Sequence, residues 1–411
     1  MKYIKRLIES QLKNYLESSG AVFLRGVKAS GKTETALRFA KSEVNLQQSE
    51  RNRILAEVSP QDLLDGKTPR LIDEWQEVPS IWNNIKIETD KRKTTKQFIL
   101  AGSATLKDDV KIHSGAGRII TLDITTLSWE ELGYSNSSVS LATLLKGKLV
   151  KPKQNQTELK TILKRLVIGG WPALIGKSER SATAFNRSYI DLLLSDDISR
   201  VSGIQRNRQK SEKVLQSLAR NIATNVDIST ITSDTDASRQ ATYEYLDDFR
   251  RLMILIDQPS WNVHIRSSAS LRVTPKRHLA DPSLACAALG ISSEGLFNEL
   301  NYAGFLFESL VFHDLTVYAS INDAKVTYYR DSSGSEVDII VEKRDGSWAA
   351  FEVKLGDLDL DLAAKKLCSF ADNIDTKKSK SPSSLTIITG TGLAYTRPDG
   401  INVLPLSVLG A

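Results

Sequence analysis

Gly26-Val27-Lys28-Ala29-Ser30-Gly31-Lys32-Thr33 is a complete G-x-x-x-x-G-K-[ST] run, and the chemistry its residue types allow is phosphate binding. It follows an apolar run, Ala21 to Leu24, and precedes a helical pattern beginning at Glu34, which is the strand-to-helix setting such a loop needs. Glycines let backbone N–H groups turn inward as an anion cradle, and the following helix start adds partial positive charge. Gly26, Ser30, Gly31, Lys32 and Thr33 are therefore expected to hold a nucleotide. Lys32 would reach its β- and γ-phosphates, and the Thr33 hydroxyl would ligate Mg²⁺.

Other residues have types that complete phosphoryl chemistry. Arg70-Leu71-Ile72-Asp73-Glu74 reads as a strand ending in two acids. Asp73 would hold the Mg²⁺ shell, and Glu74 would polarise the water attacking the γ-phosphate. Phe98 to Gly102 reads as another strand, ending at Ser103, whose hydroxyl either orients that water or only caps the strand. Arg118, after Gly115-Ala116-Gly117, either stabilises phosphate charge, in cis or toward a neighbouring protomer, or forms a structural salt bridge.

A second constellation lies far along the chain. Asp338 sits inside the apolar run Glu336 to Val341, and Glu352 and Lys354 share one face of the next strand, because side-chain direction repeats every two residues. Asp338 with Glu-x-Lys resembles the PD-(D/E)xK nuclease arrangement, with Val337 in place of the proline. Glu308 falls on an otherwise apolar helix side beside Val311, Phe312 and Leu315, where an acid is uncommon unless paired or functional. Glu308, Asp338 and Glu352 would bind Mg²⁺ or Mn²⁺ through hard oxygens, and Lys354 would orient or help deprotonate water attacking a phosphodiester. An edge strand with solvated acids explains Glu-x-Lys alone equally well.

The elements that must position these residues fall into three stretches. Over residues 1–155, apolar runs at Ala21–Leu24, Ile54–Val58, Leu71–Ile72, Phe98–Ala101 and Ile119–Ile124 read as strands. Helical segments between them argue for a parallel α/β sheet. Over 156–267 the period turns helical, and three short pieces around Lys213–Ala223, Asp227–Asp236 and Ala237–Leu255 read as a helix-turn-helix. Over 268–411 a long helix, Leu296 to Tyr318, precedes strands at Val326–Tyr329, Val337–Val341 and Ala349–Val353. A helix at Leu362–Phe370 and a strand at Leu385–Ile388 follow, forming a second α/β unit. His113, His264, His278 and His313 show no metal spacing and read as structural or surface residues. Lys377 to Ser384 reads as a solvated loop.

Taken together, several motifs resemble one family. They are Asp73-Glu74-Trp75-Gln76-Glu77-Val78-Pro79, Leu100-Ala101-Gly102-Ser103-Ala104, Gly117-Arg118, Leu127-Ser128-Trp129-Glu130-Glu131, Gly169-Gly170-Trp171-Pro172, Asp281-Pro282-Ser283-Leu284, Gly304 to Glu308 and Val403 to Leu406. The family is the prokaryotic AAA-like ATPases that carry a C-terminal domain of unknown function, family 4143. The resemblance implies a P-loop ATPase core, a winged-helix middle segment and a restriction-endonuclease-like C-terminal domain. It also implies ATP rather than GTP, and no guanine-reading NKxD motif is present.

Composition is compatible with this reading. Among 411 residues, 41% are hydrophobic and 25% charged, which is ordinary globular usage. Only Cys286 and Cys368 occur, with no CxxC, so neither a disulfide framework nor a structural zinc site is expected. No apolar stretch reaches membrane-spanning length, and the N-terminus lacks a secretory h-region, so a cytoplasmic setting is expected. The net charge of +6 permits nucleic-acid contact without demanding it. The expected partners are therefore ATP with Mg²⁺ and DNA, with a homo-oligomer if Arg118 acts in trans. Two functions from different classes follow. One is an ATPase whose nucleotide state controls a DNA-interacting, metal-dependent nuclease-like domain; the other is an ATP-driven switch whose nuclease-like C-terminal domain binds a protein or nucleic-acid partner and cuts nothing.

Overall fold

The computed structural model describes residues 3–102, 117–154, 157–262, 273–331, 334–376 and 379–411. Ser103, Ala104, His113, Gly115, Ala116, His264, Lys377 and Lys378 lie outside the described residues. The chain forms two units, each from discontinuous segments. One comprises Met1–Thr126, Asp196–Arg206 and Asp247–Ile254; the other comprises Leu127–Ser195, Asn207–Leu246 and Leu255–Ala411.

The first unit is built on strands β1 (Ala21–Arg25), β2 (Ser42–Asn45), β3 (Arg70–Asp73), β4 (Phe98–Gly102) and β5 (Ile119–Asp123). Their order is β2-β3-β4-β1-β5, and every pairing is parallel. Alternation along β1 sends Ala21 and Phe23 to one face, against Trp75, Ile81 and Ile85. Val22 and Leu24 go to the other, against Leu12, Leu16 and Ala36. Burying each Phe or Leu contributes roughly 1.5–3 kcal/mol, so the sheet is fixed from both faces. The parallel register puts the ends of β1, β3 and β4 on one edge, and the phosphate-loop motif and the Asp73-Glu74 pair both follow there.

Two expectations for this unit change. Ile54–Val58 is not a strand but part of the helix Glu50–Val58, whose N-cap Ser49 accepts a hydrogen bond from the Asn52 amide. Ile54 and Val58 are one turn apart and both exposed, while Ala56 is buried, which is a helical burial pattern. β2 was hidden because Ser42-Glu43-Val44-Asn45 has a single apolar residue.

The second unit centres on a mixed sheet ordered β10-β11-β12-β13-β15-β14-β7. Its strands are β7 (Lys153–Gln154), β10 (Ala324–Arg330), β11 (Glu336–Lys343), β12 (Trp348–Lys354), β13 (Ser384–Thr389), β14 (Leu393–Thr396) and β15 (Asn402–Pro405). β6 (Val139–Ser140) pairs with β16 (Leu409–Gly410), and β8 (Leu255–Gln258) pairs antiparallel with β9 (Lys276–Leu279). The helix Leu360–Asp372 packs Ala363, Ala364, Leu367 and Phe370 against Val337, Ile340 and Trp348. The expected long helix is two, Ser293–Asn298 and Leu300–Ile321, because Glu299 leaves helical geometry and begins the second. The three helical pieces are Arg208–Arg220, Ile228–Thr235 and Arg239–Arg251.

Side-chain acceptors bind distant motifs together inside this unit. Asp281 accepts the Gly170 amide at 2.8 Å, and Ser283 accepts the Trp171 indole N–H at 3.1 Å. Asp314, fully buried, accepts the Trp129 amide at 3.0 Å and lies 3.0 Å from His313 Nδ1. Burial drives the Asp314 carboxyl up, and the His313 hydrogen bond opposes that. His278 is buried between Ser309 and Gln258 and stacks on Phe312. Replacing Asp314 by Ala removes the acceptor of the Trp129 amide and one partner of His313 in a buried interior. The expected cost is about 3 kcal/mol, read as a lowered midpoint in thermal melts, with Asp314→Asn losing clearly less.

Candidate functional site

The phosphate loop is shaped by contacts that exclude larger residues. A Cβ on Gly26 would lie 2.1 Å from the Ile124 carbonyl oxygen, and Gly31 has φ +92°, so both positions require glycine. The Ser30 hydroxyl donates to the Val27 carbonyl at 2.8 Å. Lys32 curls back, and its Nζ donates to the Gly26 and Val27 carbonyls at 2.9 Å each. Lys32 is only 6% exposed, and burial pulls its pKa down to about 8 despite the nearby charges of Glu74 and Asp73.

Asp73 ends β3 with its carboxylate 3.1–3.2 Å from Thr33 Oγ1, and it accepts from Asn45 Nδ2 at 3.0 Å. Burial and then the charge of Glu74 raise its pKa, while the Thr33 hydrogen bond lowers it. Glu74 is half-buried and left-handed, at φ +53° and ψ +44°, and accepts from Gln76 Nε2. A non-glycine residue held there costs about 1–3 kcal/mol, a strain that concentrates at functional sites. Lys32, Thr33, Asp73 and Glu74 are thus brought to one edge of the sheet.

Arg118 is not brought there. It precedes β5, whose first residue Ile119 pairs with Ala21 at the start of β1, so it lies at the sheet edge opposite the loop. Its guanidinium pairs with Asp90 at 2.9 Å. Ser103 lies outside the described residues.

Three contributors escaped the sequence reading. Arg6, buried, donates to the Ser30 carbonyl at 2.9 Å and to the Thr125 carbonyl at 2.9 Å, bracing the loop from the N-terminal arm. Asp197 pairs with Lys28 of the loop, and Arg200 pairs with Glu77 just beyond Glu74. Asp197 and Arg200 come from a segment more than 100 residues away, so no local spacing could have announced them.

In the second unit, Glu308, Asp338, Glu352 and Lys354 do converge, lining a pocket of about 520 Å³ together with Glu336 and Lys366. Glu352 is buried; its Oε1 accepts from Lys366 at 2.7 Å and from Lys354 at 3.1 Å. Its Oε2 is buried without a hydrogen-bond partner. Asp338 Oδ2 accepts the Val353 amide at 2.9 Å. Burial raises the Asp338 carboxyl, but Lys276 and Lys366 outweigh it and hold it below the usual range.

The residue the sequence did not flag is Lys276 of β9. It is 2% exposed, and its Nζ lies 2.7 Å from Glu308 Oε1, 2.7 Å from Glu336 Oε1 and 3.4 Å from Asp338 Oδ1. Lys276, Arg277 and His278 are residue types usually found exposed, yet all four residues of β9 are buried. Mg²⁺ needs oxygens at 2.0–2.1 Å and Ca²⁺ at 2.3–2.6 Å, and here an ammonium already fills the point of convergence. Among the described residues no group of three or more His, Cys, Asp or Glu is arranged to hold a metal ion. As seated, these residues do not fit the expected ion.

Residues 18–133 match the family model of an AAA domain, residues 159–295 a domain of unknown function (DUF8612) and residues 303–409 a domain of unknown function (DUF4143). The chain therefore carries an N-terminal ATPase-type AAA domain, in keeping with the parallel five-stranded sheet, and nucleotide binding goes with a domain of that type. Uncharacterised proteins of Mycobacterium bovis and Mycobacterium tuberculosis are each 22% identical over 355 residues, covering 85% of this chain and 74% of the relative. A Bacillus subtilis DNA clamp loader delta protein aligns over 74% of this chain and 99% of its own, at 11% identity and a TM-score of 0.23, too distant to carry an argument. No described helix is long and apolar enough to cross a membrane.

The Lys32 shift has a measurable consequence. Below pH 8 the ammonium is present and meets phosphate directly; above pH 8 the free protein holds neutral Lys32, and binding must take up a proton. Titration with a fluorescent ATP analogue from pH 7 to 9.5 is expected to show affinity falling above pH 8, by up to about tenfold per pH unit. Lys32→Met is expected to bind weakly with no such slope.

Proposed function

We propose that this chain binds and hydrolyses ATP and acts as a nucleotide-driven switch on its own C-terminal domain. The observation that carries the reading is the junction of Lys32, Thr33, Asp73 and Glu74 on one sheet edge, with Lys32 held only by carbonyls. When nucleotide enters, Lys32 exchanges two carbonyl oxygens for β- and γ-phosphate oxygens, which relieves the cost of its burial. Thr33 and Asp73 offer adjacent hard oxygens that suit Mg²⁺, an ion that neutralises developing charge on the phosphates. Glu74, fixed by Gln76, takes the proton as water attacks the γ-phosphate and ADP departs. Arg118, remote from the loop within one chain, would act only toward a neighbouring protomer, which requires a homo-oligomer.

For the C-terminal domain, the metal-dependent nuclease reading needs an ion among Glu308, Asp338 and Glu352. Lys276 favours the second reading, a nuclease-like domain that binds without cutting. Lys354 and Lys366, each with a side chain about a third exposed, give its pocket cationic donors for a phosphate backbone, and exposed Phe305 gives it a stacking surface. DNA is the partner this supports. The three helices Arg208–Arg220, Ile228–Thr235 and Arg239–Arg251, followed in the chain by β8 and β9, are the elements a winged helix would use.

Steady-state hydrolysis tests the ATPase reading. Glu74→Gln is expected to lower kcat by about 10²–10⁴-fold with nucleotide binding retained, and Lys32→Ala to lose binding. Undiminished turnover in Glu74→Gln would remove Glu74 from the reaction.

A further inference from the structure

The carboxylates expected to hold a metal ion already surround a cation of the chain's own. Glu308 comes from the helix Leu300–Ile321 and Glu336 and Asp338 from β11, so three acids from two elements converge on one ammonium delivered by β9. An ammonium donates three hydrogen bonds, and it has three carboxylate oxygens within 3.4 Å. Tyr328 presents its ring face to the same Nζ, at 5.6 Å from the centroid.

Charge indicates what the cluster would accept in its place. Three carboxylates surround one buried ammonium; Arg330 also lies 3.3 Å from Glu336, and the charges of Lys366 and Lys354 also act on Asp338. Close by, the buried Glu352 Oε2 has no partner at all, in a pocket that Glu308 and Asp338 also line. Glu352 Oε2 is therefore an unused hard-oxygen donor beside the three that Lys276 engages.

We propose that Lys276 is a resident cation that occupies the place of a divalent metal ion among Glu308, Glu336 and Asp338, so that the wild-type domain takes no metal there while a divalent site lies latent beneath the lysine. This rests on the non-cleaving reading of the C-terminal domain given above. In wild type, Mg²⁺ or Mn²⁺ must displace a satisfied ammonium whose stem is buried. With Lys276 shortened, the carboxylates move inward from ammonium to metal distances, and Glu352 supplies a further oxygen.

The test is Mn²⁺ binding to the nucleotide-free full-length chain, followed by the electron paramagnetic resonance signal of free Mn²⁺ and by thermal melts. Wild type is expected to show no Mn²⁺ site that depends on Asp338, and no shift in melting temperature with Mn²⁺ or chelator. Lys276→Ala is expected to melt several degrees lower in chelator, to gain one Mn²⁺ site at least tenfold tighter than any in wild type, and to recover its melting temperature with Mn²⁺. Adding Glu308→Gln is expected to abolish that gain. A wild-type Mn²⁺ site that disappears in Asp338→Asn would overturn the proposal. So would a folded Lys276→Ala that gains no Mn²⁺ site. If Lys276→Ala folds only with Mn²⁺, the proposal is upheld; if it does not fold at all, the wild-type comparison with Asp338→Asn decides. Plasmid cleavage, scored separately on wild type, tests the non-cleaving reading independently of this result.

Discussion

A lysine ammonium cannot be taken out of water without partners, and both chemical centres of this chain are built around that constraint. Lys32 and Lys276 are almost equally buried, yet their environments push them in opposite directions. Lys32 is held by two carbonyl dipoles, which do not repay its desolvation, so its proton is loosened and a phosphate is a better partner than the one it has. Lys276 is held by full negative charges, which more than offset burial, so its proton is tightened and it has little to gain from exchange. One centre is poised for a ligand and the other is closed by its own side chain.

That contrast reorders the two functions the sequence left open. Motif content alone gives them equal standing, since Asp338, Glu352 and Lys354 are all present and do converge. What separates them is a residue outside the motif. A metal-dependent site needs oxygens free to contract around an ion, and here Glu308, Glu336 and Asp338 are already engaged. Lys354 and Lys366 of the pocket stay about a third exposed, and on the binding reading proposed above they are what a partner meets.

The phosphate loop was legible because its requirements are local: glycines at fixed spacing, a lysine, a hydroxyl, a strand before and a helix after. Strands β1, β3, β4 and β5 were legible for the same reason, each being a short apolar run. Ile54–Val58 misled because five mostly apolar residues carry no period, and only Ser49 upstream marks the helix. Arg6, Asp197, Arg200 and Lys276 were illegible for a different reason. Each acts on a residue far off in sequence, and each is a charged side chain that composition would assign to solvent. Arg118 shows the converse: its motif left a phosphate role and a structural salt bridge both open, and strand direction carries it to the far edge of the sheet, where it pairs with Asp90.

On the function proposed above, nucleotide in the first unit governs the lysine-lined pocket of the second. Hydrogen exchange of the full-length chain tests it most directly, comparing Glu74→Gln loaded with ATP and Mg²⁺ against the same protein with ADP. Amide protection is expected to change in the segments 300–308, 336–341 and 349–355, which contribute residues to that pocket, as well as in the phosphate loop. Protection that changes in the loop alone, with those three segments identical in the two states, would contradict it.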